Sequence, residues 1–217
     1  MSVAVRILSL LIGYVCGLFQ TGYFYSKSQG VDIQKEGSGN VGTTNTMRVL
    51  GLKAGIVTFL GDFFKTVVAV VIVFLLFHRS YGDIIRLLML YAGFGTILGH
   101  NFPFYMHFKG GKGIACTAGV IGSVFWWDIP TCLLTFIITL LISHYVSLGS
   151  VLVVLVLLVQ NIIFGQMGWI DLSGAALYEF YVVSACLTGM AIWRHRENIS
   201  RLMHGTENKA TVGHREK

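Results

Sequence analysis

A helix needs about 20 consecutive apolar residues to cross the hydrocarbon core of a bilayer, and this chain is built largely of such runs. Residues 4–25, 54–77, 84–100 and 176–193 each supply one. Between them, 114–166 is apolar almost throughout. Breaks at Trp127-Asp128-Ile129-Pro130 and at Ser143-His144-Tyr145 divide it into spans over 114–127, 130–143 and 148–166. The first two are short enough to be tilted, partly buried or half-membrane segments. The sequence therefore predicts an all-α, polytopic integral membrane helical bundle with about seven transmembrane helices. Charged residues make up only 12% of the 217 positions, against about 25% in soluble domains, which argues against a soluble globular fold. The first run starts almost at Met1 and is too long for a signal core, so it is expected to remain as a span. One transmembrane domain is expected over residues 1–205, followed by a short polar C-terminal tail, 206–217.

Lysine and arginine in the connections set orientation. With the N-terminus outside, segments 26–53, 101–113, 144–147 and 194–217 are cytoplasmic and hold 12 of the 16 cations. Only Arg6, Lys65, Arg79 and Arg86 fall elsewhere. The C-terminus is then cytoplasmic, as is every polar motif described below. A net charge of +6 fits an anionic substrate or acidic membrane lipids. No nucleic acid partner is expected, because the basic residues stand singly between apolar spans and form no stripe. Cys16, Cys116, Cys132 and Cys186 form no Cys-x-x-Cys pair, so neither a metal site nor a disulfide framework is expected.

Four cytoplasmic segments carry the polar chemistry. The first runs Glu36-Gly37-Ser38-Gly39-Asn40-Val41-Gly42-Thr43-Thr44-Asn45, followed by Arg48. Its three glycines allow consecutive backbone N–H groups to face one anion. Ser38, Asn40, Thr43 and Asn45 add neutral donors, and Arg48 supplies a fork suited to phosphate. The second joins Gly99-His100-Asn101-Phe102-Pro103 to Phe108-Lys109-Gly110-Gly111-Lys112-Gly113. Glycines before a new helix suit an anion at its N-terminus. It is not a nucleotide-binding Walker A loop, because Met106 stands where the first glycine is needed and no Ser or Thr follows Lys112. The third is the turn Tyr145-Val146-Ser147-Leu148-Gly149-Ser150, with two hydroxyls. The fourth is Arg194-His195-Arg196-Glu197-Asn198-Ile199-Ser200-Arg201, then Gly205-Thr206-Glu207. On a helix His195, Asn198 and Arg201 share a face.

Two further features have competing readings. Asp62 and Lys65, spaced by three inside the second run, can pair. Charges at membrane depth invite a functional role, while an ion pair that locks the bundle explains them equally well. His78 and Asp83 have the His-x-x-x-x-Asp spacing of soluble-type acyl-CoA acyltransferases. They fall on the outer face of the expected topology, far from every anion loop, and that reading is rejected.

In order along nearly the whole chain, the motifs Glu-Gly-Ser-Gly-Asn-x-Gly-x-Thr-Asn-x-x-Arg, Gly-His-x-x-Pro with Phe-Lys-Gly-Gly-Lys-Gly, Val-Ser-Leu-x-Ser, and Arg-His-x-x-Asn-Ile-x-Arg-Leu-x-x-Gly-Thr-Glu resemble those of the bacterial acyl-phosphate:glycerol-3-phosphate acyltransferases. The resemblance implies a seven-helix enzyme of the bacterial inner membrane with its site at the cytoplasmic face. Such an enzyme makes 1-acyl-glycerol-3-phosphate from glycerol-3-phosphate and acyl phosphate, without a cofactor or metal. Gln34 and Cys116 depart from the family's usual arginine and threonine, and His144 from a common arginine.

By that resemblance Ser38, Arg48, Lys112, Ser150, His195 and Asn198 surround glycerol-3-phosphate, with Ser147 as the alternative to Ser150. The backbone of Gly110, Gly111 and Gly113 lies close to the donor phosphate. Gly39, Asn40, Gly42, Asn45, His100, Lys109, Arg201 and Glu207 complete the expected substrate-binding set. His195 and Asn198 are the expected catalytic residues. Acyl phosphate is already activated, so positioning and electrostatics suffice. The proton acceptor is His195 or the substrate phosphate. The competing reading from another class is a transporter of a phosphorylated or anionic solute. Transporters tend to have repeated halves and to bind at midplane, whereas this chain shows no internal repeat and its polar residues collect at one interface.

Overall fold

The computed structural model describes residues 3–210. Ten α-helices account for most of them, and no strand forms among the described residues. In chain order they are α1 (Val3–Gly17), α2 (Thr21–Ser28), α3 (Thr43–Leu50), α4 (Leu52–Phe77), α5 (Ile85–Asn101), α6 (Ile114–Val124), α7 (Ile129–Ser143), α8 (Val146–Gln166), α9 (Gly174–Arg194) and α10 (Arg196–Met203). Arg215, Lys217 and the rest of 211–217 lie outside the described residues.

Six segments are long and apolar enough to cross a membrane: Val3–Ser28, Leu52–Phe77, Gly82–Met106, Trp126–Ser143, Val146–Gln166 and Gly174–Arg194. The segment expected over 114–127 is α6, with 11 residues. At 1.5 Å per residue it is about 16 Å long, well short of a hydrocarbon core of about 30 Å. Together with the turn that follows, it nevertheless reaches from one end of its neighbour to the other. It starts beside Asn101, at the end of α5, and the turn after it brings the Trp127 ring 4.7 Å from Arg86, in the first turn of α5.

The polarity is inverted relative to a soluble bundle. Phe59, Leu60, Phe64 and Val68 of α4 are exposed, whereas Thr58, Asp62, Lys65 and Thr66 face the interior. The run expected over 4–25 is not one helix: α1 stops at Gly17 and α2 begins at Thr21. The break leaves the Phe19 carbonyl without a helical partner, and Lys65 Nζ donates to it at 2.6 Å. In the same break the Gln20 amide donates to the His100 carbonyl at 3.0 Å.

Helices α1 and α5 meet backbone to backbone through two glycine pairs, in the small-residue spacing common between membrane helices. A Cβ on Gly13 would lie 2.0 Å from the Ala92 carbonyl oxygen, and one on Gly17 would lie 2.2 Å from that of Thr96. Reciprocally, Gly95 and Gly99 pack on the carbonyls of Leu10 and Tyr14.

At one end of the bundle two charged pairs form. Arg6 forks onto Glu179 at 2.5 and 2.8 Å, and Tyr91 donates to the same carboxylate at 2.8 Å. Arg86 pairs with Asp171 at 3.1 Å. His78 and Asp83 also lie at this end, in the α4–α5 connection. The opposite end holds a cavity.

Candidate active site

The cavity has a volume of about 330 Å³. Its polar wall comes from all four polar motifs, with Ser38, Arg48, Lys112, Ser147, His195 and Asn198 among its lining. Its apolar wall includes Phe59, Phe136 and Leu140. The sequence groups these motifs by type, but only the fold brings them together.

The first loop is built around Asn45, which is buried. Asn45 Oδ1 accepts from the Ser38 N–H at 2.8 Å, and its amide donates to the Glu36 carbonyl at 2.9 Å. Gly39 N–H donates to the Glu36 carbonyl and Gly42 N–H to Asn40 Oδ1, both at 2.9 Å. The expectation of an open row of N–H groups is therefore corrected: those of Ser38, Gly39 and Gly42 are spent inside the loop. Asn45 shapes the loop, and the cavity receives side chains from it. Arg48 is exposed and, among the described residues, donates one hydrogen bond, to Asn45 Oδ1 at 3.4 Å. Thr43 Oγ1 is buried without a partner among the described residues.

The second loop needs a similar correction. Gly110 N–H donates to the Asn101 carbonyl and Gly111 N–H to the His100 carbonyl, each at 3.1 Å. On the other side Arg194 Nη2 donates to the carbonyls of Gly110 and Gly111, at 2.9 and 2.7 Å. Neither glycine lines the cavity. They are glycines because a Cβ would fall 2.0 Å from the His100 oxygen at Gly110, or 2.1 Å from His100 Nε2 at Gly111. Lys109 is exposed and outside the cavity lining. Lys112, Gly113, Ile114 and Ala115 do line it. Gly113 has φ +80° and turns the chain into α6, whose first N–H groups have no intrahelical acceptor.

Lys112 Nζ donates to Asn198 Oδ1 and makes no salt bridge among the described residues. Burial, then the nearby Arg201, lowers it to about 8. Asn198 passes its amide N–H to Glu207 Oε1 at 2.7 Å, where Ser147 Oγ also donates at 2.9 Å. Arg201 Nε binds the other oxygen at 2.7 Å. Burial raises the Glu207 carboxyl, but the hydrogen bonds from Asn198, Arg201 and Ser147 outweigh it and hold the group below its ordinary value. The tail thus folds back over the cavity, and Ala210 N–H donates to the His144 carbonyl at 2.7 Å.

His195 stands at the break between α9 and α10 and is 3% exposed. Its Nδ1 lies 2.8 Å from the Ala191 carbonyl, so Nδ1 carries the proton and Nε2 offers a lone pair. Burial is the main cause that lowers it to about 4. His195, Asn198 and Arg201 all reach the cavity, as their spacing predicts. Both candidate serines are present: Ser147 donates to Glu207, and Ser150 to the Val146 carbonyl at 2.8 Å. Neither hydroxyl donates to His195, so neither of these serines is poised by that base. Asp62 and His100 also line the cavity, and Asp62 is a lining residue that the loop motifs did not reveal.

Residues 7–205 match a family model described as glycerol-3-phosphate acyltransferase. A glycerol-3-phosphate acyltransferase of Listeria welshimeri is 38% identical, aligned over 94% of this chain and 96% of its own. One of Halalkalibacterium halodurans is 38% identical over 92% and 93%. The fold is similar to crystal structures of PlsY (YgiH), an integral membrane glycerol 3-phosphate acyltransferase, in its glycerol 3-phosphate and lysophosphatidic acid forms. The TM-scores are 0.78 and 0.76, at 29% identity, with 96% and 95% of this chain covered and 94% and 96% of the other. With the match extending across nearly every element that builds the cavity, the chain belongs to the glycerol-3-phosphate acyltransferase family, membrane enzymes of phospholipid synthesis.

Proposed function

We propose that the chain transfers a fatty acyl group from acyl phosphate to the sn-1 hydroxyl of glycerol-3-phosphate, releasing 1-acyl-glycerol-3-phosphate and inorganic phosphate. One observation carries the reading. Arg48 and Lys112, two cations without a carboxylate partner among the described residues, face one cavity whose other wall is Phe59, Phe136 and Leu140. Such a cavity suits a phosphate-bearing acceptor and an anionic donor with an apolar chain.

The hydroxyl oxygen attacks the acyl carbonyl carbon, a new ester bond forms, and the carbon–oxygen bond to the phosphate breaks. The phosphate leaves with the bonding electrons. The hydroxyl proton goes to Nε2 of His195, a ring that lines the cavity, or to a substrate phosphate. Lys112 and the start of α6 stabilise charge on the departing phosphate. Ser38 and Arg48 hold the glycerol phosphate, with Asn198 beside Lys112.

The chain makes seven passes with its N-terminus outside, in a bacterial inner membrane, and the cavity opens to the cytoplasm. Two observations support this: the cations concentrate in the cavity-side connections, and α6 spans the same two ends as α5. Residues 1–205 form one domain, with 206–217 as its tail.

Incubation of the purified protein with glycerol-3-phosphate and palmitoyl phosphate tests the reading. Lysophosphatidate and inorganic phosphate should appear in equal amounts. Product from palmitoyl-CoA but none from palmitoyl phosphate would overturn the donor assignment.

A further inference from the structure

Lys65 lies at membrane depth and is satisfied by three acceptors: the Phe19 carbonyl at 2.6 Å, Asp62 Oδ1 at 2.8 Å and His100 Nδ1 at 2.9 Å. Thr21 Oγ1 donates to the same Asp62 oxygen at 3.1 Å. An ammonium group has three protons and no lone pair. The three acceptors use all of them, so His100 Nδ1 must accept and the ring proton sits on Nε2. That nitrogen is packed against Gly111, where a Cβ would come within 2.1 Å of it. His100 is 3% exposed and lines the cavity, yet among the described residues no hydrogen bond reaches its Nε2.

The opposite arrangement holds at His195, where a carbonyl takes the Nδ1 proton. The two imidazoles are thus held in opposite tautomers by opposite partners. One offers the cavity a lone pair and the other an N–H. Gly110 and Gly111 offer no such donor, because their N–H groups are spent on backbone carbonyls.

We propose that Asp62 and Lys65 are positioning residues that lock His100 in the Nε2–H tautomer, and that this N–H binds an oxygen of the acyl donor's phosphate in the cavity that His100 lines. The assignment rests on acyl phosphate as donor. It favours that phosphate over the one on glycerol because Phe59, of the apolar wall, and Asp62, three residues on in α4, both line the cavity. The apolar wall therefore runs directly into the charged triad, and the phosphate next to the triad is the one that carries the chain.

His100→Asn and His100→Gln separate the two ends of the ring. An asparagine oxygen can replace Nδ1 as the acceptor for Lys65, while a glutamine amide places an N–H near Nε2. With palmitoyl phosphate varied, His100→Asn should lose about a hundredfold in kcat/KM, the scale of one removed transition-state donor. His100→Gln should keep most of the activity. The KM for glycerol-3-phosphate should stay within about twofold in both. Equal losses in the two variants, or a loss confined to glycerol-3-phosphate, would overturn the assignment while leaving the donor reading intact. If the wild-type protein fails to release phosphate from palmitoyl phosphate, the donor reading falls and the assignment falls with it.

A readout on the wild-type protein does not depend on variants folding. In 15N-histidine NMR the His100 ring should carry its proton on Nε2, and in Lys65→Met it should populate both tautomers. A wild-type proton on Nδ1 would sink the proposal.

Discussion

Two charged clusters lie inside this bundle, and they end differently. Arg6, Glu179 and Tyr91 close on themselves, with both nitrogens of the fork and the phenol directed at one carboxylate. Asp62, Lys65 and His100 are bonded less completely: among the described residues, side-chain bonds reach only one oxygen of Asp62, and none reaches Nε2 of His100, a residue that lines the cavity. Both clusters carry the cost of burying charge among membrane helices. The closed one ties α1 to α9 and α5. The open one turns the same investment towards a ligand. Substitutions at the two ends should therefore separate activity from stability.

The sharpest test of that division is Lys112→Ala. It removes a cation that has no carboxylate partner, so turnover should fall about a thousandfold, towards the upper range for a lost electrostatic donor. The denaturation midpoint in detergent should hold or rise. Near-normal turnover would break the anion-site reading. A smaller loss, about a hundredfold in kcat, is expected for His195→Ala if His195 is the general base. The KM for glycerol-3-phosphate would then be unchanged. Lost binding with partial turnover would move the proton to the substrate phosphate instead.

The pH dependence gives a third test. Lys112 is lowered to about 8 and His195 to about 4. The free enzyme's kcat/KM should fall about tenfold per pH unit above pH 8 as Lys112 loses its charge, and Lys112→Arg should push that limb upward. On the acid side His195 stays neutral near pH 6, so no loss centred at its ordinary value is expected. Stability behaves differently. Between about pH 6.5 and 4 the unfolded chain binds a proton at His195 that the folded chain refuses, so this contribution is lost as pH falls through that window. The smallest activity change belongs to the closed cluster. Arg6→Ala should cost about 2 kcal/mol of stability, as for hydrogen bonds to a charged group, with both KM values within about twofold. A clear loss of turnover without a loss of stability would erase the contrast between the two ends.

Apolar runs made the spans legible. The helices over 54–77 and 130–143 begin within two residues of their expected starts and end at Phe77 and Ser143 as expected. The break after Gly17 was hidden, because Leu18, Phe19 and Gln20 look like any apolar run with one polar intruder. Its Phe19 carbonyl is taken up by Lys65, a tertiary contact that no local window carries. The spacing of His195, Asn198 and Arg201 gave their shared face correctly. The glycine loops were read as donors of N–H groups, yet most of those groups are consumed at home. A glycine required by the approach of a His100 ring is indistinguishable, in sequence, from one required by a phosphate. Asp62 and Lys65 were visible as a pair, but their third partner lies 35 residues away from Lys65.

The glycine pairs between α1 and α5 have a mechanical consequence. Gly17 stands two residues before Phe19, and Gly99 one residue before His100, so the direct backbone seat of α1 on α5 acts as a dowel. It fixes how far apart the carbonyl and the imidazole that Lys65 must bridge can be. A single methyl group at Gly17 or Gly99 would press on backbone rather than on a yielding side chain. The two helices would separate, and the span would exceed what one ammonium can close. The tolerance of a proton's placement in the cavity is thus set by the absence of two side chains that never touch it.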